Sequence, residues 1–198
     1  LGYVGTFHSF CCMILRRDGE HIDIPRTFTI YDDGDQQQLL KEIVKKMGTK
    51  YSPRFFSAKI SDAKNRLITP ERFLAMFSYY KAAEVAEVYH QYEKGLKRNN
   101  ALDFDDLIMK VVELFVQHPE VLDTYQDRYQ YLLVDEFQDT NVAQYVLTQK
   151  LAAKYKNITV VGDFSQSIYS WRGANIKNLQ KFTEDFLDAA TTHLEQNY

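Results

Sequence analysis

Apolar side chains recur at three-four spacing from the start of the chain, where Phe7, Phe10, Cys11, Ile14 and Leu15 predict an amphipathic helix. A short extended stretch, Tyr3-Val4-Gly5-Thr6, leads into it, and Asp18-Gly19 closes it with turn chemistry. Helical patterns follow over 36–47, 70–80 and 82–96. In the last of these, Val85, Tyr89, Tyr92 and Leu96 share one face. Thr69-Pro70-Glu71 is a start signal, an N-cap residue followed by proline at the first helical position. No strand stands out between 20 and 98, and the basic, aromatic stretch 51–56 reads as a surface turn.

After Asn99-Asn100 the pattern changes. Phe104, Leu107, Ile108, Val111, Val112 and Phe115 predict a further amphipathic helix, ended by His118-Pro119. Two continuous apolar runs, Tyr131-Leu132-Leu133-Val134 and Ile158-Thr159-Val160-Val161, flank a helix over 142–155. Such runs predict strands buried on both faces, and their alternation with helices predicts a parallel sheet. Thr191-Thr192-His193-Leu194 is a candidate further strand. The expected class is α/β with an inserted all-α block. About twenty residues cannot form a sheet alone, so 1–20 and 99–198 are assigned to one α/β domain and 21–98 to the insertion.

Composition narrows the chemistry. The chain has 198 residues, 45% hydrophobic and 26% charged, which is ordinary for a globular protein. With 24 basic against 27 acidic residues the net charge is −3, so any nucleic acid must be held by a local groove rather than a global field. No apolar run approaches the roughly 18 residues that span a bilayer, and neither a membrane nor a leader sequence is expected. The two cysteines, Cys11 and Cys12, are adjacent, which argues for buried thiols in a reducing cytoplasm rather than a disulfide framework. The first residue is Leu, so the chain is expected to be processed or a piece of something longer.

The strongest local signal is Leu132-Leu133-Val134-Asp135-Glu136-Phe137-Gln138-Asp139. A strand ending in Asp-Glu sets two carboxylates at the carboxyl edge of a parallel sheet, where open α/β folds bind ligands. Asp135 there could hold Mg²⁺ on a nucleotide and Glu136 could activate a water; the same pair could equally cap a strand facing solvent. The second apolar run ends in Gly162-Asp163, and Gln166 follows, an amide suited to sensing a terminal phosphate or its water. Beyond it, Tyr169 and Trp171 lie in a polar, Gly-bounded loop suited to stacking on unpaired bases. A core anchor is the other reading of Trp171.

Four ordered motifs then carry a resemblance: Thr6-Phe7-His8-Ser9, Ala101-Leu102-Asp103-Phe104-Asp105-Asp106-Leu107, Val134-Asp135-Glu136-Phe137-Gln138-Asp139-Thr140, and Gly162-Asp163 with Gln166-Ser167-Ile168-Tyr169 and Trp171-Arg172-Gly173-Ala174. In order and spacing the chain resembles the UvrD/PcrA/Rep family of superfamily 1 DNA helicases from end to end. The resemblance implies a partial RecA-like P-loop NTPase sheet (motor domain 1A) with the helical 1B subdomain inserted. It implies ATP and Mg²⁺ as cofactors, 3′ to 5′ movement on single-stranded DNA, and unwinding of duplex DNA. It makes Asp135 the Mg²⁺-binding acid, Glu136 the catalytic base and Gln166 a contact for the γ-phosphate region. Tyr169, Trp171 and Phe104 become base-contacting aromatics, Thr6, Phe7 and His8 a DNA-touching loop, and Arg172 part of an ion-pair network near the nucleotide. The 51–56 stretch could then touch duplex DNA. Phe164-Ser165 departs from the family's usual residues but leaves Gln166 in register.

The phosphate-cradling signature G-x-x-x-x-G-K-[ST] is absent, and the family carries it upstream of the stretch matched here. The chain by itself is therefore expected to hydrolyse little or no ATP. Rival readings are a helicase subunit of a recombination helicase-nuclease, a non-catalytic DNA-binding module, and a metal-dependent nuclease built on Asp135, Glu136, Asp139 and Asp163.

Overall fold

The computed structural model describes residues 2–163 and 177–192. Helix α1 (Phe7–Asp18) starts where the Thr6 hydroxyl accepts the Ser9 amide and runs into a 3₁₀ turn at Gly19–Ile22. Strand β1 (Thr29–Tyr31) leads to α2 (Asp33–Met47), α3 (Pro53–Asn65), α4 (Pro70–Met76) and α5 (Ala82–Arg98). Strand β2 (Ala101–Asp103) passes directly into α6 (Phe104–Gln117), followed by α7 (Pro119–Arg128). The remaining elements are β3 (Leu132–Val134), α8 (Val142–Ala152), β4 (Ile158–Val160) and α9 (Lys177–Asp185). The class is α/β, as read from the pattern, with both strand pairs parallel.

The strands are not one sheet among the described residues. β1 pairs with β2, and β3 with β4, as two separate two-stranded ladders. β1 lies inside the stretch that showed no strand signal. Three residues are too few to display a period of two, and the partner Ala101–Asp103 lies far along the chain. The runs at β3 and β4 are not buried on both faces either. Leu133 is 72% exposed, because no further strand or helix among the described residues covers that side. Thr191 and Thr192 are in no strand, and His193 and Leu194 lie outside the described residues.

Two larger apolar cores organise the helices. One gathers Cys11, Ile14 and Leu15 of α1 with Leu107, Val111, Leu114 and Phe115 of α6 and Leu147 of α8, and it includes Ile24 and Phe28. The other gathers Leu40, Phe56, Ile60, Phe73, Val85 and Tyr89 from α2 to α5. The stretch 51–56 is not a surface turn. Ser52 caps α3 by accepting the Phe55 amide, Pro53 takes the first turn, and Phe56 is fully buried. Tyr51 stacks on Phe55 with ring centroids 4.8 Å apart. Helix α4 stops at Met76, earlier than the pattern suggested, because Phe77 is extended. Cys11 is buried and Cys12 half-buried, both as free thiols.

Candidate functional site

The β3–β4 register aligns Leu132 with Ile158 and Val134 with Val160, so both strands end at one rim. The ladder runs on past the strands: Val161 N–H donates to Val134 O at 2.8 Å and Phe137 N–H to Val161 O at 2.9 Å. Asp135-Glu136 leave from one strand and Gly162-Asp163 from its neighbour, so the carboxylates of Asp135, Glu136 and Asp163 belong to loops at the same edge. Asp135 and Glu136 are exposed there. Asp135 Oδ1 accepts the Glu136 amide at 2.9 Å. Glu136 sits in the left-handed region with φ 50°, a conformation that costs a non-glycine residue about 1–3 kcal/mol and marks a backbone held by its surroundings.

Gln138 does that holding. Its side chain is buried, Nε2 donates to Glu136 Oε2 at 2.6 Å, and Oε1 accepts the Asp163 amide at 3.0 Å. One amide thereby ties the two strand-end loops together and aims the Glu136 carboxylate. Gly162 is part of the same device, because a Cβ at that position would lie 2.6 Å from Gln138 Oε1. The loop is then pinned from below. Phe137 packs on Tyr145 and Phe182, Thr140 Oγ1 donates to Phe137 O at 2.7 Å, and Asn141 caps α8 in a reciprocal box with Gln144. Sequence reading quoted Gln138 but gave it no role, since its two partners are set by the strand pairing.

A second group forms at the N-termini of α1 and α6. Thr6 is exposed, Phe7 and His8 are half-buried in the first turn of α1, and Phe104 is the first residue of α6, 51% exposed. The rings of His8 and Phe104 meet with centroids 5.3 Å apart. Burial pulls His8 below the ordinary imidazole value of 6.5, which favours the neutral ring. An exposed aromatic backed by a neutral imidazole is a surface on which a planar base can stack. The first turn of α1 carries no acidic residue, leaving its N–H groups suited to a phosphate. Gln166, Tyr169, Trp171 and Arg172 lie outside the described residues.

Beneath Phe104 is a buried charge cluster that sequence reading missed. Lys64 Nζ, fully buried, lies 2.8 Å from Asp103 Oδ2, 2.7 Å from Asp106 Oδ1 and 2.7 Å from Glu93 Oε1. Asp103 and Asp106 also form the capping box of α6, and Tyr92 Oη donates to Asp103 Oδ2 at 3.1 Å. Burial alone would draw the Lys64 ammonium down, but the three carboxylates outweigh it and hold it well above the ordinary lysine value. Burial first, then Asp103 and Glu93, push the Asp106 carboxyl well up, against the downward pull of Lys64. A signal existed: Phe56, Ile60 and Ala63 mark the buried stripe of α3, and Lys64 falls on it at i+8 from Phe56.

Among the described residues, no three His, Cys, Asp or Glu side chains converge as a metal-ligand group. Asp135, Glu136 and Asp139 thus do not form the carboxylate set that the nuclease reading required. No helix among the described residues is long and apolar enough to cross a membrane.

Comparison with known proteins shows the family. The profile of the UvrD/REP helicase N-terminal domain matches residues 3–187. ATP-dependent DNA helicase PcrA of Staphylococcus aureus (strain COL) is 50% identical over 199 aligned residues, covering 99% of this chain and 27% of the relative. The protein of the same name from Staphylococcus epidermidis (strain ATCC 12228 / FDA PCI 1200) is 49% identical over the same share of both chains. The chain therefore spans about a quarter of the length of the curated relatives it matches.

Proposed function

The chain belongs to the UvrD/REP helicase N-terminal domain family, and from that premise we propose that it is the part of an ATP-dependent DNA helicase in which nucleotide and single-stranded DNA are sensed together. The observation that carries this reading is the shared rim of β3 and β4, where Gln138 ties Glu136 to the loop after β4. Glu136, aimed by Gln138, is the group that takes the proton of the attacking water. Asp135 is the Mg²⁺ ligand. Its exposed carboxylate suits an ion that keeps several waters and takes one or two protein carboxylates beside phosphate oxygens. That ion would neutralise charge on the phosphates during transfer.

His8 and Phe104 form one wall for a base, with Thr6, Phe7 and the amides of the first turn of α1 against the strand's backbone. Tyr169 and Trp171 are the further stacking groups, Gln166 the γ-phosphate contact and Arg172 its charged neighbour. The division into 1–20 with 99–198 as motor domain 1A and 21–98 as subdomain 1B follows the two apolar cores in outline, with Ile24 and Phe28 joining the first core and Ala101 the second. The remainder of the same polypeptide supplies the glycine-rich phosphate loop and a second motor domain. The whole enzyme moves 3′ to 5′ on single-stranded DNA, unwinds duplex and works in the cytoplasm.

The test is hydrolysis by the full-length protein with and without single-stranded DNA. DNA should raise the rate, and Glu136→Gln should abolish turnover while nucleotide binding persists. A rate indifferent to DNA, or turnover that survives Glu136→Gln, would overturn the reading. The 198-residue chain alone should hydrolyse little or no ATP.

A further inference from the structure

Helix α3 ends against two other helices at once. Its Lys64 grips Asp103 and Asp106 on the first turn of α6. The next residue, Asn65, reaches both α6 and α8. Asn65 Nδ2 donates to Asp105 Oδ1 at 3.2 Å, and to Ser61 O at 2.9 Å and Ser61 Oγ at 3.2 Å within its own helix. Asn65 Oδ1 accepts from Asn141 Nδ2. The same Asn141 caps α8 through its Oδ1, which accepts the Gln144 amide at 2.9 Å.

Each end of this bridge lies close to one of the two sites. Asp105 is the neighbour of Phe104. Asn141 follows the Asp135–Glu136 loop, and little slack separates them: Asp139 N–H donates to Glu136 O at 3.0 Å, Thr140 N–H to Phe137 O at 3.2 Å, and Asn178 Nδ2 to Thr140 O at 2.8 Å. One side chain of α3 thus offers a hydrogen-bonded route from the first turn of α6 to the cap of α8, beside the direct packing of α6 on α8. Packed elements joined by hydrogen bonds transmit small displacements rather than absorb them.

We propose that Asn65 is a positioning residue that holds the first turns of α6 and α8 in register, so that a base stacked on Phe104 changes the placement of the Asp135–Glu136 loop. This rests on the helicase reading and adds to it: DNA stimulation of hydrolysis passes in part through the helical block, not only along the strands. Asn65 touches neither nucleotide nor DNA in this scheme.

The experiment uses the full-length protein. Asn65→Ala should lower the ratio of DNA-stimulated to basal hydrolysis about fivefold or more, the lower end of ordinary coupling between sites. Basal hydrolysis, KM for ATP and single-stranded DNA affinity without nucleotide should each stay within about twofold. Should the alanine variant not fold, Asn65→Asp keeps the shape and the oxygen facing Asn141 but sets a carboxylate against Asp105, and the same loss is expected. An unchanged ratio overturns the inference. So does an equal fall in basal and stimulated rates, which is what a purely structural role gives. In either case the helicase reading stands, because the parent enzyme responds to DNA. A parent protein whose hydrolysis ignores DNA would instead overturn that reading, and this inference with it.

Discussion

Replacing Lys64 by Met would test how the helical block is fastened to α6. Methionine preserves the length and apolar stem of a side chain that lies beside the rings of Tyr89 and Tyr92, so the change removes charge and little volume. Lost are three contacts of 2.7–2.8 Å to Glu93, Asp103 and Asp106. Glu93 is partly exposed and can turn to water, but the Asp103 and Asp106 side chains are only 3% and 1% exposed. They keep their capping bonds, with the Asp106 amide on Asp103 Oδ1 at 2.8 Å and the Asp103 amide on Asp106 Oδ2 at 3.1 Å. Without the ammonium the pair is an uncompensated buried charge, and removing one partner of such a group costs about 3–5 kcal/mol. At about 1.4 kcal/mol per tenfold, that is roughly a 10²- to 10⁴-fold change in local opening. Hydrogen exchange in the full-length protein reads it directly, as lost protection in peptides covering α3 and the first turn of α6. Adding Asp106→Asn removes one stranded carboxylate but keeps the oxygen that accepts the Asp103 amide. The double variant should therefore regain about 1 kcal/mol or more, within the usual coupling of touching residues. Protection that falls by less than about tenfold, or a double variant weaker than Lys64→Met alone, would refute the reasoning.

Three further outcomes are expected. Gly162→Ala drives a methyl to within 2.6 Å of Gln138 Oε1, so Gln138 must release Asp163 or Glu136; steady-state kinetics of the full-length protein should show kcat falling about tenfold or more with KM for ATP little changed, and an unaltered kcat would sink the role given to Gln138. Asp106 has a raised folded-state pKa, so its contribution to stability is complete below the ordinary carboxylate value of 3.8 and is lost as pH climbs through the raised value. Lys64, also raised, keeps its contribution below the ordinary lysine value of 10.5 and loses it only above that. Subtracting the pH profile of Asp106→Asn from that of the parent in urea unfolding should expose the first slope, and superimposable profiles would exclude it. Trp171→Ala in the full-length protein should weaken DNA stimulation of hydrolysis more than nucleotide affinity; equal loss of both would make Trp171 a structural residue.

What the sequence by itself determined is local. The start of α1 at Thr6, the apolar stripe of α6 and the arrival of Asp135-Glu136 at a strand end are all written in neighbouring residues, because caps, helical periodicity and strand ends depend on contacts a few positions apart. The motifs carried the family for the same reason. Pairings between distant residues were decided only by the tertiary structure. β1 finds its partner after four intervening helices, too short a strand to announce itself. Gln138 acquires its role from Asp163, 25 positions on, and only because two strands lie side by side. The stretch 51–56, polar and aromatic enough to pass for a surface turn, becomes the start of a helix once Phe56 has a core to enter. Lys64 shows the difference most plainly: a lone lysine reads as solvent-exposed, and its burial is tolerable only because Asp103, 39 positions away, arrives with Asp106 and Glu93 to compensate its charge. A charge leaves water only when its counter-charges are already in place, and which residues those are is a property of the fold rather than of any window of sequence.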